Sequence, residues 1–385
     1  MKHLFMRFWS VQLILLLSFV VCAQDQDSLA TAQAYFSEGG RAFEAGDFDK
    51  AIPLFTKALE VYPNAPMIYL ARGTAYMQKS DYYSAIDDYN KAIELNPGFW
   101  EAYDNRGLAF YNLGYYELSL KDHSKALEIN PNSVNASNNR GNVYQYLRKF
   151  ELAIRDYDKA ISLNSKNYAF YLNRGSAYQG SGNYEASLQD FAKALELNPD
   201  DHMVYVNRGN TYSLLKKYDL GLSDFKKAIQ IMPDSPIVFY GIGSLYLKME
   251  RYQDAVDAFT RAIVLSPKYA DAYCNRGVAY ESLKKFDEAL ADHLKASAID
   301  PKDGVYYFNI GNIYRIKGKN REAIANFTKA IEIFPYWSRI YSERAKVYRA
   351  EGKVQLAKED DARALEVLKE NFQPVNESGI SKIEY

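Results

Sequence analysis

Small, aromatic and charged residues return along this chain in one fixed register of 34 residues. Numbered 1 to 34 within that register, ten successive units run from 32–65 to 338–371 without an insertion. Column 4 is aromatic in nine units, Tyr35 through Tyr341 with Ser137 the exception, and column 11 in nine, Tyr76 through Tyr348. With columns 7 and 8 they fall at i, i+3, i+4 and i+7, one face of a helix. Columns 20, 24 and 27 mark a second helical stripe. The first is always small, the second mostly a ring such as Phe55, Tyr89 or Phe191, and the third always alanine, Ala58 through Ala364. Column 8 is glycine from Gly39 to Gly311, then Ala345. Glycine inside a helix costs about 1 kcal/mol against alanine, so this column predicts two helices crossing closely. Gly46, Gly114, Gly182, Gly318 and Gly352 at column 15 suit the left-handed residue that ends a helix, and proline at column 32 in eight units stops the second one. Each unit is predicted to be a helix hairpin. A period of this length that never slips makes the chain an all-α solenoid.

These columns resemble the tetratricopeptide repeat, whose signature is an aromatic at 4, Gly at 8, Tyr at 11, Ala at 20, an aromatic at 24, Ala at 27 and Pro at 32. The resemblance spans residues 32–371. It implies a right-handed superhelix whose concave side, lined mainly by the first helix of each hairpin, holds a peptide or a partner protein. Departures gather at the ends and in the fourth unit: Ala42 at column 11, Ser165 in place of proline, and Ala345, Asp361 and Lys369 in the tenth unit. Polar substitution at a solenoid end is expected of a cap. The lysine at column 5 and asparagine at column 9 with which chaperone-binding members grip a terminal carboxylate are Phe36 and Gly40 in the first unit. That mode of binding is not expected here.

Met1–Ala23 places Lys2 and Arg7 ahead of an apolar run that ends in Val20, Val21, Cys22 and Ala23. This is the pattern of a cleaved secretory signal, with Val21 and Ala23 at the small-residue positions and Gln24 as the new amino terminus. The expected location is outside the cytoplasm, most simply the bacterial periplasm, with no transmembrane span in the mature chain. Lipid anchoring through Cys22 is the weaker reading, because Val21 is large for the residue before a lipidated cysteine. Residues 24–31 read as a short linker, and 372–385, with Pro374, Ser378 and Gly379, as a flexible tail. Cleavage would leave Cys274 as the one remaining cysteine, so no intramolecular disulfide is expected. It also removes two cations, Lys2 and Arg7, taking the formal net charge from -1 to -3. That balance gives no electrostatic reason to expect nucleic acid as a partner.

Column 7 belongs to the buried stripe, yet it holds Arg72, Arg106, Arg140, Arg174, Arg208, Arg276 and Arg344. A buried charge needs a counter-charge. Column 23 supplies Asp88, Asp122, Asp156, Asp190, Asp224, Asp292 and Asp360 in the same units, and the two are lost together at Ile242/Ala258 and Ile310/Asn326. Pairing column 23 with the next unit's column 7 breaks that match, so the expectation is a bidentate ion pair inside each hairpin. Seven identical dyads serve structure rather than acid–base chemistry. His123 and His293 stand in the aromatic column 24 and His202 opens a unit; without a converging ligand set they read as core imidazoles, with no metal or cofactor expected. The recurring Asn-Arg-Gly strings lie within helices and are not phosphate loops.

Columns 2, 6, 9 and 13 lie opposite the buried stripe. Column 6 holds Asn105, Asn139, Asn173, Asn207, Asn275 and Asn309, with Gly241 interrupting. An amide both donates and accepts, so such a row can hold the backbone of an extended peptide without reading its side chains. It is similar to the asparagine ladder in the superhelix of O-linked N-acetylglucosamine transferases. An asparagine bonded only within the protein would give the same sequence. Around it the side chains change from apolar (Phe43, Met67, Met77) through amide-rich (Asn138, Asn142, Gln145) to basic (Arg315, Arg339, Lys346, Arg349). The function this implies is an exported, non-catalytic scaffold that binds an extended polypeptide or partner protein. An assembly subunit working through its ends or convex face, and the regulatory arm of an enzyme complex, are the alternatives.

Overall fold

The computed structural model describes residues 26–371; the leader Met1–Ala23, the alternative lipid site Cys22 and the tail 372–385 lie outside the described residues. Among the described residues twenty helices pair into ten hairpins, from Gln26–Glu44 with Phe48–Val61 to Ser338–Ala350 with Val354–Asn371. An internal hairpin places its first helix on columns 1 to 13 and its second on columns 17 to 30, as in Trp100–Asn112 and Tyr116–Ile129. The chain divides into two compact units, one ending at Pro199 and one beginning at Asp200. Each carries five repeats. Residues 26–31, read as linker in the sequence, are instead helical and lengthen the first helix. Asp27 sits in its first turn, where the helix dipole favours an acid, and its carbonyl accepts from Thr31 Oγ1 at 2.8 Å.

The turn between the two helices is the same in all ten repeats. Its column-15 N–H donates to the column-12 carbonyl and its column-16 N–H to column 11, as in Gly114 to Tyr111 at 3.0 Å and Tyr115 to Phe110 at 2.8 Å. This closure needs a positive φ at column 15. Glycine supplies it five times, but Ser80, Arg148, Lys216, Glu250 and Lys284 adopt it too, at φ 56 to 60°. An L-residue there costs about 1 to 2 kcal/mol. Lys216→Gly and Lys284→Gly, both at exposed positions, are therefore expected to stabilise the chain by about 1 kcal/mol each. A urea midpoint that stays put or falls would contradict the strain.

Column 8 is glycine because of its own hairpin's column-24 ring. A Cβ on Gly73 would lie 2.7 Å from Tyr89 Cε1, on Gly175 2.8 Å from Phe191 Cε1, and on Gly277 2.7 Å from His293 Cε1. His123 and His293 are fully buried there in the place of phenyl rings. Repeat ten swaps both partners at once, Ala345 for glycine and Asp361 for the ring. Gly241, the gap in the asparagine column, has a related cause: a Cβ there would stand 2.6 Å from Phe225 Cε1 of the preceding repeat. Within each unit successive first helices touch one another, while second helices pack mainly on their own first helix and the next. The first helices form one layer within each unit.

Candidate interaction face

Seven arginines meet the aspartate of their own hairpin. In every pair Nε donates to Oδ2 and Nη2 to Oδ1 at 2.7 to 2.9 Å, a planar fork on a carboxylate. The guanidinium also lies between rings of its own helix: Arg174 Cζ is 5.7 Å from the Tyr171 centroid and 5.9 Å from Tyr178. Burial pushes the Asp190 carboxyl up, and the bonds from Arg174 work against that. The hydrogen bond to Asp190 holds the Arg174 guanidinium above its ordinary range, against its own burial. Both charges are thus committed to each other.

A third bond from six of the seven arginines leaves the hairpin. Nη1 donates back to column 25 of the preceding repeat: Arg72 to Thr56, Arg106 to Asn90, Arg140 to Ser124, Arg174 to Asp158, Arg276 to Thr260 and Arg344 to Thr328, at 2.5 to 3.2 Å. One side chain joins three helices of two repeats. Sequence reasoning missed this acceptor, although a signal existed. Column 25 holds a side-chain oxygen before these arginines and Lys226 or Leu294 before Ile242 or Ile310.

The asparagine column lies along the seam between neighbouring first helices. In five of the six asparagines the amide Nδ2 is held by column 5 or 9 of the preceding repeat: Asn105 by Thr74 at 3.4 Å, Asn139 by both Asp104 oxygens at 3.3 Å, and Asn173 by Asn138 at 2.9 Å and Asn142 at 3.3 Å. Asn275 donates to Tyr240 Oη at 2.9 Å and Asn309 to Cys274 Sγ at 3.5 Å; Asn207 also has an interaction of its own. The column is half-buried rather than open. In these five residues the bonds through Nδ2 fix the orientation of the amide, its Oδ1 included. Asp104, which anchors Asn139, is itself buried and takes His123 Nδ1 at 2.6 Å. Cys274 is buried too, and burial pushes its thiol up to about 12. A thiol so protonated is a poor nucleophile.

The four basic residues of repeats nine and ten meet carboxylates or rings. Lys346 Nζ lies 2.6 Å from Glu343 Oε1, and Arg315 Nε stands 3.4 Å from Glu343 Oε2 without hydrogen-bond geometry. Arg349 pairs with Asp361, and Arg339 stacks 5.4 Å from the Phe308 centroid. Lys346 and Arg349 remain more than half exposed. Among the described residues no group of His, Cys, Asp or Glu is arranged to hold a metal, and no helix is long and apolar enough to cross a membrane.

Tetratricopeptide repeat patterns match residues 36–99, 101–133, 134–167, 168–201, 204–235, 240–304 and 305–336. A search of curated proteins finds no match. Among solved structures, a tetratricopeptide repeat protein from Parabacteroides merdae superposes with a TM-score of 0.53 at 22% identity, covering 66% of this chain and 98% of its own. The Cut9–Hcn1 hetero-tetramer of the APC/C superposes with 0.51 at 15% identity, covering 87% and 76%. At these identities the likeness is one of fold.

Proposed function

Because the chain belongs to the tetratricopeptide repeat family, whose members are protein-interaction scaffolds, we propose that it is exported and that its first-helix layer binds an extended polypeptide. The observation that carries the binding reading is the row formed by Asn105, Asn139 and Asn173. One oriented amide per repeat is anchored through Nδ2 by the repeat before it. An anchored amide loses little freedom when its Oδ1 accepts a backbone N–H, so such a row favours a chain read by its main chain. No catalytic role is assigned. The charged start and the Val21-x-Ala23 site support export.

Two measurements test this reading. Amino-terminal sequencing of the native protein is expected to begin at Gln24; an intact Met1 or a lipid on Cys22 would remove the export assignment. Random dodecapeptides displayed on phage and panned on the immobilised chain are expected to yield binders that tolerate alanine scanning but fail on backbone N-methylation. Binders that ignore N-methylation and depend on side chains would reject backbone recognition.

A further inference from the structure

Columns 9, 12 and 13 of a first helix share one face by their i, i+3, i+4 spacing, and the first helices of repeats two to five touch in succession. Across those four repeats the three columns run from Thr74, Met77 and Gln78 to Ser176, Gln179 and Gly180, with none buried and none charged. With charged residues at 25% of the chain, twelve positions would hold about three. The same columns of the second unit hold Lys248, Glu281, Arg315, Lys346 and Arg349. Glu101 and the buried Asp104 lie about three and two turns from Tyr111 on its helix. Charge returns at the turns in both signs, with Glu117 beside Tyr116 and Arg148 and Lys149 beyond Tyr146.

A group of rings stands in the middle of this neutral face. Tyr146 of repeat four is 58% exposed and lies on Tyr116 of repeat three, with centroids 4.2 Å and planes 32° apart. Tyr111 meets Tyr116 and Tyr146 edge-on at 5.7 and 6.2 Å. The hydrogen bond to Tyr146 pushes the Tyr116 phenol up to about 12, so that hydroxyl is already committed. Column 13 of the next repeat is Gly180, where even a Cβ would stand 2.4 Å from Phe150 Cε1, and no side chain follows Tyr146 in that row. The amides beside the rings are tied down. Tyr157 Oη lies 2.8 Å from Asn142 Oδ1 and 2.9 Å from Gln145 Oε1, and Asn112 Nδ2 donates to the Leu108 carbonyl at 2.8 Å.

We propose that this face binds a neutral oligosaccharide, with one sugar ring on Tyr146 and its neighbours along Asn112, Asn142 and Gln145. A pyranose offers C–H groups on its faces, which pack on an aromatic ring, and hydroxyls at its rim, each both donor and acceptor. Amides match such hydroxyls because they also do both, and amides already held in place lose little freedom on binding. A proline-rich peptide fits less well, since its carbonyls ask for donors alone and the Tyr116 proton is spent on Tyr146. A charged peptide finds no counter-charge here.

The test reads the full chain on a printed array of neutral gluco-, manno- and N-acetylgluco-oligosaccharides with their sulfated and uronic-acid counterparts, and measures binders by calorimetry. Neutral glycans are expected to be retained, with no preference for the acidic ones. Tyr146→Ala, at an exposed position that leaves the helices intact by circular dichroism, is expected to weaken binding about tenfold or more, and Tyr146→Trp to keep it. A dodecapeptide panned on the chain is expected to bind Tyr146→Ala unchanged, which separates this face from the asparagine row. No retained glycan, a preference for acidic glycans, or binding indifferent to Tyr146→Ala would overturn the proposal. A panned peptide that needs Tyr146 and that no glycan displaces would overturn it in favour of a polypeptide on these rings.

Discussion

Arg174→Ala is expected to destabilise the chain by about 3 to 5 kcal/mol, because it leaves Asp190 buried without its counter-charge. Asp190 accepts two bonds from Arg174 at 2.7 and 2.8 Å and is almost fully buried, so no water replaces the guanidinium. Arg174→Ile with Asp190→Ala is expected to cost far less, since repeat seven already folds with Ile242 and Ala258 in those columns. Asp158, the third partner, is half exposed and stays hydrated. The single variant carries its own pH signature. Burial raises the Asp190 carboxyl and Arg174 opposes this, so removing the arginine raises it further. A folded-state pKa above the unfolded value gives stability that is present at acid pH and lost as pH rises through it. The deficit of Arg174→Ala is therefore smallest in acid, where the protonated carboxyl needs no partner, and grows toward neutrality. Urea midpoints of the wild type, Arg174→Ala, Asp190→Ala and the double variant between pH 4 and 7 measure it; additive single effects, or a deficit flat in pH, would contradict the pairing.

Changing Asn105, Asn139 and Asn173 together to alanine is expected to lower affinity for a panned peptide by about one to three decades, at about 0.5 to 1.5 kcal/mol for each lost hydrogen bond. The same substitutions release Asp104, Asn138 and Thr74 from the bonds they now accept. A parallel loss of stability is expected, smaller than that of Arg174→Ala because these positions are only half-buried. Calorimetry on the folded variant separates the two effects. Unchanged affinity with reduced stability would make the amides purely a seam between repeats.

The hairpins, their turns and the partner of each arginine were legible because one register repeats ten times, and a residue's loss can be matched with its partner's. Ile242 with Ala258 and Ile310 with Asn326 pointed to the aspartate inside the hairpin, where the structure puts it. The same comparison at column 25 would have found the third bond. The environment of the asparagines was not legible. A helical wheel orders residues around one axis and says nothing about a neighbouring parallel helix, and it is that neighbour which takes the Nδ2 of Asn139 and Asn173. The cause of the column-8 glycines was only half visible: closeness was foreseeable from composition, but the object that is close is the ring of column 24, as the joint change at Ala345 and Asp361 indicates.

The arginine that reaches back across the seam makes the repeats follow a grammar of adjacency. An oxygen at column 25 is followed by arginine at column 7, as at Ser124 then Arg140; a residue without one is followed by isoleucine, as at Leu294 then Ile310. Ala192 before Arg208 is the one departure in sequence. Duplicating repeat seven in tandem would set Thr260 before a second copy of Ile242 and join the two dialects badly. Duplicating repeat two would set Asn90 before a second Arg72 and read correctly. Arrays of this kind can therefore lengthen by copying some repeats and not others, and which ones is written in two columns.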